Sequence, residues 1–231
     1  MKYGAIALPV ALALALAGCN KENRDSAADT AGAATATQTP APGAPQADAP
    51  TAEPSAEQRA RDEQQARLDY ATMEDGYLND ARGQWASSAK ASSSFGDANE
   101  APADSQSSNT PWQATGSPNG NAWNNNSQDI GFDWIELAYA RPVKATAVRV
   151  VTADEEAAES ISRIELIDTE GKANVVWSGL SDTKRDERGA RTWVVRDFDA
   201  TAYQVKAVKL TFANNVSTGY KQVDAVQLIG D

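Results

Sequence analysis

The chain has 231 residues, a formal net charge of −11, one cysteine and no histidine. That length accommodates one domain or two small ones. The lone thiol and missing imidazole exclude an internal disulfide, a Cys/His zinc site and any reaction built on an imidazole base. So acidic a chain repels nucleic acid, which argues against a nucleic-acid partner.

Residues 1–18 have the form of an export signal: Lys2 supplies the charged start, and Tyr3 to Ala17 form an uncharged apolar run. At about 15 residues this run is shorter than the roughly 20 that span a bilayer. It closes on Leu16-Ala17-Gly18-Cys19, which resembles the lipobox of bacterial lipoproteins, whose cysteine is acylated and becomes the first mature residue. The resemblance implies lipid attachment at Cys19 and a membrane partner reached through the acyl chains. The plain alternative is a cleaved signal with an incidental cysteine. Residue 20 is Asn, not Asp, which by resemblance to enterobacterial sorting implies the outer membrane.

Residues 19–54 are rich in Ala, Thr, Pro and Gln, with Pro40, Pro42, Pro45, Pro50 and Pro54 close together. Such a segment buries too little apolar surface to offset its ordering entropy, so a disordered tether is expected. About 35 flexible residues reach roughly 30–35 Å. Ser55 followed by Gln58 has the form of a capping box, and a helical stalk is expected over residues 55–76, with Gly76 as its stop. Its apolar stripe (Ala60, Ala66, Tyr70, Met73, Tyr77) is thin, which predicts a solvated or loosely docked helix.

A domain is expected over residues 84–231. Eight strands are predicted, near Trp85–Phe95, Phe132–Tyr139, Ala145–Thr152, Ile161–Asp168, Ala173–Ser178, Thr192–Phe198, Val205–Ala213 and Gln222–Ile229. Their apolar residues alternate, as in Ile135, Leu137 and Tyr139 or Val208, Leu210 and Phe212, which suits an antiparallel two-sheet sandwich.

The pieces WASSAKASSSF (85–95), ATGSPN (114–119), WIELAYARPV (134–143), AVRVVT (147–152), ISRIELIDTEGK (161–172) and YKQVDAVQLIG (220–230) together resemble bacterial discoidin-like domains. These are relatives of coagulation-factor C-type domains with the galactose-binding-like fold. The resemblance implies an all-β, eight-stranded antiparallel jelly-roll sandwich and a binding role toward sugars, lipids or proteins. The cysteine pair of the animal relatives is missing.

If successive strands are antiparallel, the long connections 96–131, 153–160, 179–191 and 214–221 gather at one end of the sandwich. Loops on a rigid scaffold commonly carry recognition. Candidate ligand residues there are Trp112, Asn119, Trp123, Asn124, Asn125 and Tyr220, because aromatic rings pack on sugar C–H faces and amides bond hydroxyls. Trp123 has an alternative reading as a lid closing the sandwich. Asp97 and Asp104 are candidate calcium ligands; acidic loop residues are also commonly just solvated.

The function expected is therefore a non-catalytic, lipid-anchored envelope module that recognises glycan or an envelope protein. A scaffolding lipoprotein with no sugar ligand is the alternative, and a carboxylate-based glycosidase a remote one.

Overall fold

Helix, strands and loops are described from a computed structural model of the chain, covering residues 53–231 apart from Asp154. The expected signal, Cys19 and nearly all of the expected tether lie outside the described residues.

Helix α1 (Ala56–Leu78) begins where the sequence places it. Ser55 has extended backbone, and its hydroxyl accepts from the Gln58 amide at 3.1 Å. The helix does not stop at Gly76 but runs one half-turn further, where the Asn79 side chain donates to the Asp75 carbonyl at 3.0 Å. An open glycine weakens a helix interior without ending it.

Ten β segments follow among the described residues: β1 (Gly83–Trp85), β2 (Ser88–Ala91), β3 (Trp123–Asn124), β4 (Phe132–Val143), β5 (Ala145–Thr152), β6 (Ile161–Asp168), β7 (Ala173–Ser178), β8 (Thr192–Asp197), β9 (Val205–Ala213) and β10 (Gln222–Gly230). A short helix α2 (Glu155–Ser160) joins β5 to β6. The first sheet has the order β1-β10-β5-β8, with β3 also on β10; the second runs β2-β4-β9-β6-β7. All pairings between these strands are antiparallel. The chain is thus the all-β jelly-roll sandwich that the sequence predicts.

Two short segments raise the strand count from eight to ten. The strand expected over Trp85–Phe95 is split, because the chain changes sheets at Ala86-Ser87. The Ala86 amide bonds Val226 O in the first sheet, and the Ser87 amide bonds Ala138 O in the second. Strand β3 is the other addition.

Between the sheets lies one continuous core containing Ile135, Leu137, Val148, Val150, Ile164, Leu166, Val208, Leu210, Phe212, Val226 and Leu228. A second cluster forms on the outer face of the first sheet. There Tyr70 of α1 is buried with Val151, Trp193 and Ala225, flanked by Met73 and Tyr77. The C-terminal half of the helix is therefore docked on the sandwich, while residues 56–65 stay exposed. Of the two expected arrangements, solvated or loosely docked, the C-terminal half adopts the docked one and the N-terminal half stays solvated. Arg149, which strand alternation would turn to solvent, is instead covered by the helix. Its guanidinium lies 4.2 Å from the Tyr77 ring centroid and 3.0 Å from an Asp80 carboxylate oxygen.

Strand register places the long connections together. Ala91, Phe132, Ile161, Ser178 and Ala213 end or begin their strands at the end of the second sheet where Thr152, Thr192 and Gln222 stand in the first.

Candidate functional site: the long-loop end

The loop end rests on a buried polar plate. Asp133, at the start of β4, accepts from the hydroxyls of Ser92 and Ser93 (both 2.7 Å) and from the amides of Asn125 (2.9 Å) and Asn214 (3.0 Å). Burial pushes its carboxyl upward, but the four hydrogen bonds outweigh this and hold it below the ordinary aspartate range. The Asn125 oxygen accepts from the Lys221 amide at 2.7 Å. The buried Lys221 ammonium donates to the carbonyls of Gln128 (3.1 Å) and Ser217 (2.6 Å). Loops 92–131 and 214–221 are thereby pinned to one another.

Trp123 belongs to this base. It is 0% exposed, packs 5.8 Å from Phe212 between ring centroids, and donates from Nε1 to Ser93 O at 2.9 Å. Burying a large aromatic with its one donor satisfied gains more than leaving it in a loop. Trp123 thus takes its lid reading, closing the sandwich, and Asn125 is corrected from a ligand candidate to a support of the loop end. Trp112 sits half-buried in the 3-10 turn Pro111–Ala114 and lines neither of the two cavities at this end.

Above the plate, two cavities adjoin. The larger, about 530 Å³, is lined by Phe95, Gly96, Asp97, Ala98, Ala101, Ser107, Ser108 and Asn109. The smaller, about 220 Å³, is lined by Ser108, Asn109, Gln113, Gly120, Asn121, Ala122, Asn124 and Gln222. Ser108 and Asn109 form their common wall. Phe95 is 40% exposed and meets Tyr220 edge to face at 4.6 Å, so Tyr220 fixes the ring that the larger cavity presents. Asn109 is the one non-glycine residue with positive φ (67°) among the described residues, a conformation Asn tolerates well. Its side-chain oxygen accepts from the Asn124 amide, while Asn124 Oδ1 has no hydrogen-bond partner among the described residues. An orphaned acceptor of this kind costs about 1–3 kcal/mol until a donor reaches it.

The Asn119-Gly120 turn is held from below. Its two amides donate to the carboxylate of Asp224 at 3.0 and 3.1 Å, and Arg191 Nε reaches the same carboxylate at 3.2 Å. Arg191 also meets Glu74 of α1 at 3.4 Å, and Glu74 accepts from Trp193 Nε1 at 3.3 Å. The docked helix is therefore connected, group by group, to the wall of the smaller cavity. The Asn119 side chain itself accepts from the Asn121 amide at 2.8 Å and lines neither cavity.

Asp97 opens into the larger cavity from the 3-10 turn Gly96–Asn99; Asp104 does not line it. No three acidic, His or Cys side chains among the described residues gather into a set that could hold a metal.

Of the residues the sequence singled out, the structure thus brings Asn124 and Asp97 to the cavities, with Tyr220 behind the Phe95 ring. Sequence reading missed Phe95, Ser107, Ser108 and Asn109. The sequence places Phe95 at the end of a strand, but β2 stops at Ala91 and leaves Phe95 in the loop.

Among solved structures the chain is similar to a family 32 carbohydrate-binding module from Clostridium perfringens in complex with GalNAc-β-1,3-galactose. The identity is 11%, over 64% of this chain and 96% of that one, with a TM-score of 0.46. It is also similar to the family 32 module of Clostridium perfringens NanJ in complex with galactose (14% identity; 64% and 93% covered; TM-score 0.43). A third is the C-terminal domain of a chitobiase from Bacteroides fragilis (9% identity; 65% and 95% covered; TM-score 0.47). No family model and no curated protein matches the sequence.

Proposed function

We propose that the chain is a non-catalytic carbohydrate-binding module, tethered by lipid on Cys19 to a bacterial cell envelope and recognising glycan through its long-loop end. The observation that carries this reading is the pair of adjoining cavities walled by one fixed aromatic ring and a row of amides and hydroxyls. Phe95 offers an apolar face to the C–H side of a pyranose. Ser107, Ser108, Asn109, Gln113, Asn121 and Asn124 offer donors and acceptors to its hydroxyls. The larger cavity contains a single carboxylate, Asp97, whereas glycoside hydrolysis generally takes two in opposed positions.

A hexose of about a dozen heavy atoms, at about 0.3 kcal/mol per atom, binds such a site with a Kd of about a millimolar. Many copies anchored on one surface raise that through avidity. Acyl chains at about 0.8 kcal/mol per buried methylene hold the chain at the membrane without a spanning helix.

Screening the detergent-solubilised full chain on an array of neutral glycans tests the reading. Retention of at least one glycan is expected, reduced about tenfold or more by Phe95→Ala. A blank array, or binding indifferent to Phe95→Ala, refutes the site. Cys19→Ala protein that still fractionates with membranes after export refutes the anchor.

A further inference from the structure

The outer face of the second sheet carries a separate opening of about 380 Å³, lined by Phe132, Ser162, Arg163, Ser178 and Thr211. It shares no wall residue with the loop-end cavities. Four adjacent strands, β4, β9, β6 and β7, contribute to it.

A bulge builds this opening. Ile161 lies opposite Phe212 and Arg163 opposite Thr211, so Ser162 is an extra residue in β6. Ile161 and Ile164 are three positions apart yet both buried, which regular alternation does not allow. The bulge resets the parity and leaves Ser162 and Arg163 both outside, as bulges beside functional sites do. The Arg163 side chain is 51% exposed and forms a long ion pair with Glu165 at 3.8 Å, a separation too great for a hydrogen bond. Its N–H donors therefore remain available. Phe132, 68% exposed, stands across β9 from it. Two strand spacings and two residues of rise put the two backbones about 12 Å apart, a gap that a sugar ring bridges.

We propose that this opening is a second saccharide site, selective for a carboxylate-bearing sugar such as a uronic acid unit. The ring packs on Phe132, its hydroxyls meet Ser162, Ser178 and Thr211, and its carboxylate pairs with Arg163. A peptide is a poorer fit. β4, β9 and β6 are paired on both sides, so only the edge strand β7, on the Ser178 side of the opening, offers a peptide backbone free ladder groups.

Calorimetric titration of the full chain with tetragalacturonic acid and with its fully methyl-esterified form tests this. The acid form is expected to bind at least tenfold more tightly than the ester. Arg163→Gln should bring the acid down to the ester's level, and Phe132→Ala should weaken both at least tenfold. Both variants should melt like the parent, since both side chains are exposed. Absence of binding by the acid form at millimolar concentration overturns the proposal. So does binding that ignores both substitutions, or capture of a protein through Phe132 and the other exposed apolar residues Ile130, Leu180 and Val216 with no response to either oligosaccharide.

Discussion

Replacing Asp224 by Asn is the sharpest probe of how the loop end is held. The side chain keeps its shape, but the carboxylate serves three donors: the Asn119 amide on one oxygen, and the Gly120 amide and Arg191 on the other. A carboxamide has one acceptor end. In its better orientation it still accepts from Gly120 and Arg191, and its NH₂ then faces the Asn119 amide. One bond is lost outright and the others lose their charge assistance. With charge-assisted bonds at about 1.5–3 kcal/mol each, the expected loss is about 3 kcal/mol, because the site is 1% exposed and water cannot compensate. For a body of this size that corresponds to a melting temperature lower by about 6–12 °C. Hydrogen exchange gives the local readout: the Asn119 and Gly120 amides should exchange far faster, while those of β9 keep their protection relative to global unfolding. Neutral-glycan binding should weaken with them, since Gly120 and Asn121 line the smaller cavity. Melting within 2 °C of the parent, with unchanged exchange at both amides, would refute the reasoning.

The Asp133 carboxyl, held below its ordinary value in the folded protein, contributes stability that is fully present above the unfolded pKa of about 3.9 and lost as pH falls through the lower folded value. Denaturation curves for Asp133→Asn should accordingly run well below the parent's at pH 7 and converge on it below about pH 4; a gap independent of pH contradicts this. Gly189 packs against α1 so closely that a Cβ there would lie 2.2 Å from the Tyr70 ring. Gly189→Ala should therefore lift the C-terminal half of the helix, at a cost of about 1–3 kcal/mol. A red-shifted tryptophan emission from Trp193 and faster amide exchange over residues 70–78 should accompany it, and unchanged exchange there would show that the helix is held elsewhere.

Strands β6, β7 and β9 fall on the expected residues because each is at least partly exposed on one face, and alternation then marks both its direction and its limits. The docking of α1 was less legible. Its contact residues Tyr70, Met73 and Tyr77 make only a thin stripe along a polar helix. The better signal lies in the sheet: Val150-Val151 and Trp193-Val194 put apolar side chains on both faces of β5 and β8. A strand apolar on both sides needs a second cover, and in this chain α1 is the segment that provides it.

The loop end was legible in its location but not in its residues, and the reason is competition for hydrogen bonds. Loop 96–131 is crowded with amides, any of which could serve a ligand. A buried carboxylate claims some of them first. Asp133 takes the amides of Asn125 and Asn214, and Asp224 takes the backbone of the Asn119-Gly120 turn. Those demands arise from Asp133, just past the loop at the start of β4, and from Asp224 near the start of β10, which is remote in sequence from the loop it organises. An aspartate that the strand pattern turns into a buried position needs several donors, so the nearest amide-rich loop must surrender them. On the proposed function, what is left for a glycan is the remainder after that claim: Asn109, Asn121 and Asn124, with Phe95 set beside them by Tyr220. Candidate recognition residues in such a sandwich are therefore sought by first assigning the donors that buried carboxylates require, and only then counting the amides those carboxylates leave unclaimed.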